Sequence, residues 1–226
     1  MRSALIFAAG RGLRMRPLTD ATPKPLLRVG DRLLIEHHLG KLAASGVSNI
    51  VINTSHLAAQ FPAALGNGDR WGLRIHYSDE GPEPLETGGG MKRALGLLGT
   101  APFIAISADI VSDYDYAQLP AAPAGLAHLV MVPNPEFHPH GDFCLDHTRL
   151  NEEGVGERLT FGNIGVYRAE LLRGEADERF KLLPSFLRAM REGRLSGERY
   201  DGFWRNVGTP EQLAEVERMT SARMIP

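Results

Sequence analysis

The sequence predicts an α/β domain with a mixed, mostly parallel central sheet, flanking helices and a small β-rich insertion. In the first half of the chain, continuous apolar runs, typical of strands buried on both faces, alternate with helical stretches. The second half has more turn-forming residues between its short strands. With 226 residues, of which 43% are hydrophobic, the chain suits one such domain.

The first half is predicted to follow the order βαβαβαβ. Its four strands are expected at residues 4–9, 49–53, 73–78 and 103–107. Its three helices are expected at residues 33–45, 57–65 and 88–98. Gly46 is predicted to end the first helix, because glycine readily adopts the left-handed conformation found at helix ends. Pro62 is expected to kink or restart the second helix.

The second half is predicted to add strands, hairpins and two more helices. The strands and hairpins are expected at residues 128–132, 134–159 and 159–168. A helix over 182–193 should end at Gly193. A short strand region then leads into a helix from Pro210 to about Ala222, with Thr209 as its N-cap.

Composition narrows the classes of function. A formal net charge of −2 argues against a general nucleic-acid binder. No run approaches the roughly 20 apolar residues that span a bilayer, and the N-terminus does not resemble a signal peptide, so we expect no membrane partner and a cytoplasmic location. Cys144 is the only cysteine, which excludes an intramolecular disulfide and a cysteine-rich metal site.

Residues 8–25, AAGRGLRMRPLTDATPKP, form the most informative stretch. The turn Gly10-Arg11-Gly12 follows a strand and can bring backbone N–H groups close to an anion. Arg14 and Arg16 add positive charge, and Lys24 lies between two prolines that restrict the backbone. From the residues alone, either a phosphate site or a surface turn with solvated cations is possible.

Two familiar nucleotide-binding loops fit this stretch poorly. The dinucleotide fingerprint G-x-G-x-x-G needs glycine at position 15, where the chain has Met15, and Pro17 disfavours a helix beginning after Gly12. The loop G-x-x-x-x-G-K-[ST] is also missing from the sequence. A dinucleotide-dependent dehydrogenase is therefore a remote alternative.

The stretch closely resembles the signature of the sugar-1-phosphate nucleotidylyltransferases, roughly A-A-G-x-G-x-R-[LM]-x-P-L-T followed by P-K-P. Residues 8–19 and 23–25 carry the match. The resemblance implies one Rossmann-like nucleotidyltransferase domain over residues 1–226. Its nucleotide-binding half would be 1–125, and its sugar-phosphate-binding half, with the C-terminal helix, would be 126–226.

The same resemblance implies roles for the loop residues. Those expected to wrap the nucleotide triphosphate are Ala9, Gly10, Arg11, Gly12, Arg14 and Lys24. Arg14 and Lys24 are expected to act in catalysis, by stabilising charge on the phosphates and by contacting the α-phosphate region. In this chemistry an oxygen of a sugar 1-phosphate attacks the α-phosphorus of a nucleoside triphosphate, and pyrophosphate leaves. Because the nucleophile is already anionic, positioning and electrostatics suffice without a general base.

A second segment, PLETGGG at 84–90, opens the third predicted helix. Three glycines at a helix start can let a base or ribose approach the backbone, although a flexible loop joined to a helix cap is the alternative. The resemblance places the nucleobase pocket here and assigns Glu86, Gly88 and Gly89 to the nucleotide.

Two residues are predicted to bind Mg²⁺. Asp109 ends a predicted strand, where ligands bind in α/β sheets, although it could instead cap the next turn. The resemblance makes it a metal ligand. Asn206 lies in WRNVGTP, where the family motif W-x-D-[VI]-G-T-P has the second metal-binding aspartate. Asparagine keeps a carbonyl oxygen but loses the charge that Mg²⁺ prefers, which predicts weaker metal binding.

The sugar site is predicted from the second half of the chain. The resemblance assigns sugar contacts to Asn163, Asp142 and Gly165, while a glycine-made β-bulge is the alternative for the glycine. Zinc binding by the pair His138 and His140 is disfavoured, because the sequence offers no convincingly spaced third ligand. The predicted structural side chains are those of His37, His38 and Cys144.

The expected enzyme uses UTP and a sugar 1-phosphate. The segments LETGGG and NPEFHPHGDF resemble the branch that acts on N-acetyl-α-muramic acid 1-phosphate, which implies a role in peptidoglycan recycling. Two same-class alternatives are mannose 1-phosphate with GTP, and glucose 1-phosphate with another nucleotide. Asn206 motivates a third alternative, a nucleotide-sugar binding protein with impaired catalysis. We expect a monomer or a small homo-oligomer.

Overall fold

The computed structural model describes residues 2–221, which form one large mixed sheet with helices packed on both faces. The strands are β1 (Arg2–Phe7), β2 (Arg28–Val29), β3 (Arg32–Leu33), β4 (Val47–Thr54), β5 (Arg74–Asp79), β6 (Phe103–Ser107), β7 (Ile110–Ser112), β8 (Ala127–Val132), β9 (Phe143–Asp146), β10 (Arg149–Asn151), β11 (Glu157–Tyr167), β12 (Leu195–Arg199) and β13 (Trp204–Asn206). The α-helices are α1 (Leu18–Ala21), α2 (Glu36–Ala44), α3 (Gln60–Leu65), α4 (Glu86–Leu98), α5 (Leu183–Arg191) and α6 (Pro210–Ser221).

The large sheet has the strand order β5-β4-β1-β6-β11-β8-β12-β10-β9. Strands β5, β4, β1 and β6 are parallel, and so are β8 and β12. The long strand β11 runs antiparallel to both β6 and β8 and joins the two parts. The sheet is therefore mixed, as predicted. None of the helices within residues 2–221 is long and apolar enough to cross a membrane.

The alternation of side chains along β1 explains the two cores. Ala4 and Ile6 belong to the cluster that includes the buried leucines of α2 and α3. Leu5, between them, belongs to the opposite cluster, with the apolar side chains of α4 and α5. Successive strand residues point to opposite faces, so a continuous apolar run is required wherever helices cover both sides.

Helix ends follow the predicted signals. Gly46 and Gly193 both adopt positive φ, at 82° and 66°, each one residue beyond the capping residue that ends its helix. The Thr209 hydroxyl accepts a hydrogen bond from the Gln212 amide at 3.3 Å, as expected of an N-cap before Pro210. The predicted end of this helix, Ala222, lies outside the described residues.

Several predicted boundaries are wrong: for example, β1 spans Arg2–Phe7 rather than 4–9, and α3 begins at Gln60 rather than at 57. Residues 33–35 do not begin α2, since Leu33 instead pairs with Arg28 in the β2–β3 hairpin. The helix predicted over 88–98 begins at Glu86, so the three glycines are its third to fifth residues rather than its first three. The small sheet of β7 and β13 was not predicted, and it joins the region after β6 to the end of the chain.

His38 of α2 is fully buried, as predicted for a structural side chain. Its Nδ1 lies 2.7 Å from the Tyr116 hydroxyl, and its Nε2 has no hydrogen-bond partner among the described residues. Burial lowers the pKa of His38 to about 3, helped by the nearby charges of Lys41 and His37. The side chain is therefore neutral in the folded protein at neutral pH.

We expect this histidine to make folding sensitive to acid. Below its ordinary pKa of about 6.5 the unfolded chain takes up a proton that folded His38 does not. The contribution of neutral His38 to the free energy of unfolding is thus fully present above about pH 6.5. It decreases as the pH falls below that value, and by pH 5 the loss reaches about 2 kcal/mol. Denaturant unfolding of wild type and His38→Gln at pH 7 and pH 5 measures the effect. The variant should lose less stability on acidification, whereas exposed His147→Gln should match wild type; equal losses in all three would contradict the assignment.

Candidate active site

The largest concentration of predicted site residues surrounds a cavity at the carboxyl ends of β1, β4, β5 and β6. The cavity has a volume of about 600 Å³. Its lining residues are Phe7, Ala8, Ala9, Gly10, Arg11, Lys24, Pro25, Asn53, Glu80, Glu83, Pro84, Glu86, Thr87, Ser107, Ala108, Asp109 and Arg179. Ligands of open α/β sheets bind at this edge, so the fold and the sequence motifs point to the same place.

The loop after β1 forms one wall of the cavity. Ala9, Gly10 and Arg11 line it directly, and the Arg11 guanidinium donates across it to the Pro82 carbonyl at 3.1 Å. Gly12 lies behind this wall with φ of 62°, a conformation that favours glycine. A Cβ at Gly12 would also approach the methyl group of Thr19 to 2.9 Å, so two independent constraints require glycine there.

Lys24 and Asp109 form an ion pair inside the cavity. The Lys24 Nζ lies 2.5 Å from Asp109 Oδ2, and the two side chains are only 14% and 22% exposed. The Lys24 backbone belongs to a short 3-10 helix in which its carbonyl accepts from the Leu27 amide at 3.1 Å. The sequence pattern predicted both residues at the site, and the fold brings them together from positions 85 residues apart.

Asn206 lies beside Asp109 through the small β7–β13 sheet. Asn206 pairs with Ile110, and the Val207 amide donates to the Asp109 carbonyl at 2.7 Å. The Asn206 Oδ1 atom is buried and has no hydrogen-bond partner among residues 2–221. A buried carbonyl oxygen without a partner is costly unless something binds it, and carbonyl and carboxylate oxygens suit a hard cation. The Asn206 oxygen therefore fits a divalent metal ion, although Asn206 borders a different cavity, of about 740 Å³, from the one that Asp109 lines.

Arg14 lies outside the cavity lining, by the turn that follows Asn206. Its guanidinium is close enough to Gly208 that a Cβ there would approach Arg14 Nη2 to 3.0 Å. The Gly208 amide donates to the Gln212 side chain at 2.7 Å, which fixes this turn at the start of α6. The structure thus places Arg14 on the Asn206 side of the site and Lys24 on the Asp109 side.

The wall opposite the loop contains Glu86 but not Gly88 or Gly89, the other two residues assigned to the nucleotide there. Gly88 and Gly89 both donate their amides to the Phe180 carbonyl, at 2.8 and 3.1 Å. A Cβ on Gly88 would collide with the Phe180 ring, and one on Gly89 with the Glu178 carbonyl. The structure accounts for both glycines by close packing of segment 178–180, so their contact with nucleotide stays a prediction.

Two of the predicted sugar-contact residues line a second cavity of about 280 Å³ that shares Phe7, Thr87 and Ser107 with the first. Asp142 and Asn163 are both in its wall. Asp142 accepts from the Phe161 amide at 2.8 Å, and its other oxygen lies 3.1 Å from His138 Nε2. These contacts fix the carboxylate at the cavity edge.

Gly165 has a different environment from the other two sugar-site candidates. A Cβ at Gly165 would lie 2.7 Å from the His128 carbonyl, so the residue packs against β8. The register between β11 and β8 shifts between Phe161 and Gly165, which matches the β-bulge alternative. The predicted contact of Gly165 with the sugar stays a prediction, and the geometry gives it no support.

Several cavity residues were missed from the sequence, among them Asn53, Glu80 and Arg179. Asn53 is the second-to-last residue of β4 and Glu80 directly follows β5, where the rule for ligands at carboxyl ends of strands could have identified them. Arg179 lies in a polar loop with no local signal, and its guanidinium reaches Glu83 and Glu86, at 3.5 and 3.8 Å. It adds a third cation to the cavity beside Arg11 and Lys24.

Comparison with known proteins agrees with this geometry. Residues 3–133 match the nucleotidyl transferase family. The chain is 43% identical to the N-acetylmuramate alpha-1-phosphate uridylyltransferase of Neisseria meningitidis, over 97% of this chain and 98% of that protein. It is 32% identical to the mannose-1-phosphate guanyltransferase of Aspergillus fumigatus, over 93% of this chain but 62% of that protein.

The solved structures support the fold. A Bacillus anthracis protein crystallised with sucrose superposes with a TM-score of 0.84, covering 100% of this chain and 97% of that one at 19% identity. At that identity the likeness concerns the fold alone, whereas the sequence matches above concern descent. The chain therefore belongs to the nucleotidyl transferase family and is an enzyme of its sugar-1-phosphate nucleotidyltransferase group.

Proposed function

We propose that this enzyme transfers a uridylyl group from UTP to N-acetyl-α-muramic acid 1-phosphate, giving a UDP-sugar and pyrophosphate. The observation that carries the proposal is the 43% identity, over nearly the full length of both chains, to the Neisseria meningitidis relative of that name. We place the reaction in the cytoplasm, where UTP is available, and in peptidoglycan recycling. The Aspergillus fumigatus relative is less similar and longer, which makes GTP and mannose 1-phosphate the weaker alternative.

The reaction needs positioned charge rather than proton transfer. An anionic oxygen of the sugar phosphate forms a bond to the α-phosphorus of UTP, and the bond from that phosphorus to the bridging oxygen breaks. Pyrophosphate leaves with the electron pair, so the developing charge must be stabilised. The Lys24 ammonium, fixed inside the cavity, and the Arg14 guanidinium on the other side supply that charge.

Asp109 and Asn206 are the residues that would hold Mg²⁺. When bound, the ion supplies positive charge to the phosphate oxygens of the nucleotide. The unpartnered Asn206 oxygen and the Asp109 carboxylate offer two oxygen donors, but only one of them is charged. The smaller cavity, with Asp142 and Asn163 in its wall, is the proposed sugar site.

Pyrophosphate release tests the proposed substrates. We expect release with UTP and N-acetyl-α-muramic acid 1-phosphate to exceed that with GTP and mannose 1-phosphate, or with dTTP and glucose 1-phosphate. A preference for either of the other pairs would overturn the substrate assignment. No release with any pair would favour a second candidate, a nucleotide-sugar binding protein, which the uncharged Asn206 supports.

The variant Asn206→Asp distinguishes the active transferase from the nucleotide-sugar binding protein. The added charge should lower the Mg²⁺ concentration for half-maximal activity by about tenfold, since a charge near a cation is worth at least 1 kcal/mol at 4 Å. Titration of wild type and variant with Mg²⁺ in the pyrophosphate assay measures the shift. Asn67→Asp adds the same charge near the amino end of β5, whereas the cavity lies at the carboxyl ends of the strands. This control should leave the titration unchanged. An unchanged midpoint in Asn206→Asp would exclude this residue from the metal site.

A further inference from the structure

A buried polar pair, Asn53 and Glu80, connects the two walls of the 600 Å³ cavity. The Asn53 side-chain oxygen accepts from the Ala8 amide at 2.6 Å, where the loop after β1 begins. Its Nδ2 donates to Glu80 Oε1 at 2.6 Å. The other Glu80 oxygen accepts from the Leu85 amide at 2.6 Å, one residue before α4. Three short hydrogen bonds in series therefore link the loop after β1 to the start of α4.

The pair is expensive to bury, which argues that its geometry is specified. Asn53 and Glu80 are only 3% and 7% exposed. Burial raises the pKa of Glu80, and the hydrogen bonds from Leu85 and Asn53 oppose that shift. A buried carboxylate is tolerated when its acceptor oxygens are satisfied, as both are here.

Gly90 leaves the room that this pair occupies. A Cβ at Gly90 would collide with the Glu80 carboxylate and would lie 2.6 Å from Asn53 Nδ2. Gly88 and Gly89, the preceding two residues, make room for segment 178–180 in the same way. The glycine run therefore lets α4 pack tightly against groups on either side of the cavity wall.

We infer that Asn53 and Glu80 are positioning residues that fix the distance between the phosphate-binding loop and the nucleoside-binding wall at 85–87. This inference rests on the proposed function, in which one nucleoside triphosphate spans both walls. A nucleotide whose two ends are held by different walls loses affinity when those walls shift, because part of its binding energy then reorders the protein. The sugar phosphate, bound in the neighbouring cavity, should be much less affected.

A reciprocal exchange tests the pair. In Asn53→Asp a carboxylate faces the Glu80 carboxylate, and in Glu80→Gln one oxygen must serve both Leu85 and Asn53. Each single change should weaken UTP binding by about tenfold, as expected when a buried hydrogen bond to a charged group is lost. In the double variant Asn53→Asp/Glu80→Gln the hydrogen bond is restored with its direction reversed and the net charge unchanged. UTP binding should then return to within about threefold of wild type.

Isothermal titration calorimetry with UTP provides the affinity, and pyrophosphate release provides KM for the sugar phosphate, which should change little in all three variants. Asn49→Asp is the matched control: it alters a buried amide on the same strand whose partners are Ser3 and Leu97, at the far end of β4. A thermal-stability measurement cannot replace the affinity series, because a purely structural role would also lower stability in the single variants. Only a role in positioning predicts that the double variant restores UTP affinity.

Two results would overturn the inference. One is equal weakening of UTP binding by Asn49→Asp and Asn53→Asp, and the other is a double variant no better than the singles. Wild type that binds UTP without releasing pyrophosphate would instead overturn the proposed function. The affinity series would still decide the role of the pair.

Discussion

Asp109→Asn is expected to lower kcat for pyrophosphate release by about 10²- to 10³-fold, the size of effect seen when one preorganised charge is removed from a site of this chemistry. Asp109 is the charged member of the proposed metal-binding pair Asp109 and Asn206, and its carboxylate also lies 2.5 Å from the Lys24 Nζ. The substitution keeps the side-chain shape but removes the charge that attracts a divalent cation. It also leaves the Lys24 ammonium without its partner.

Two measurements distinguish this loss from damage to the fold. Binding of Mn²⁺ in the presence of UTP, followed by electron paramagnetic resonance, should weaken in Asp109→Asn. Asp113→Asn, four residues further along, removes a carboxylate that bonds to the Tyr200 hydroxyl and should leave both activity and Mn²⁺ binding near wild type. Wild-type turnover in Asp109→Asn would remove this residue from the site.

The major strands could be predicted from the sequence because their signal is local. The run FIAIS is apolar at nearly every position, and β6 occupies the five predicted residues. The strands β2, β3, β7 and β13 have two or three residues each, too few to show a periodic pattern. The strands β2 and β3 form a local hairpin, whereas β7 and β13 form because distant segments meet, as when Asn206 pairs with Ile110. The existence of β7 and β13 is a tertiary property.

The candidate site divides in the same way. The loop around Gly10 and Gly12, with Lys24 and Asp109, could be predicted because these residues belong to contiguous motifs. The packing role of Gly88 and Gly89 could not, because it depends on residues 178–180, about ninety positions away.

Isolated polar residues were the harder part of the site to predict. Asn53 is one asparagine near the carboxyl end of β4, and only the parallel sheet shows that its side chain meets Glu80. In the same way, nothing near Arg179 in the sequence indicates that its guanidinium reaches a cavity wall built from residues 83–86. Such residues acquire their roles from the arrangement of strands and loops.

Lys24→Met should reduce kcat by about 10²-fold or more, because it removes a cation fixed where charge develops on the phosphates. The Lys24 side chain is 14% exposed, and the backbone of Lys24 is constrained by Pro23, Pro25 and the 3-10 helix that it begins. Lys24→Arg should recover little of the loss, since the longer planar guanidinium cannot occupy the same point beside Asp109. Arg28→Met, which removes an exposed cation on the neighbouring strand β2, should retain wild-type activity.

The same substitution should have an opposite effect on metal binding without nucleotide. In the free protein Lys24 neutralises the Asp109 carboxylate, and a divalent cation must compete with that ammonium. Removing it should tighten the binding of Mn²⁺ to the nucleotide-free protein by about tenfold, the value of roughly 1.4 kcal/mol for one unfavourable neighbouring charge. Slower turnover together with tighter Mn²⁺ binding would separate Lys24 from a purely structural residue, whose loss would weaken both. Weaker Mn²⁺ binding in Lys24→Met would show instead that the ion pair helps to build the metal site.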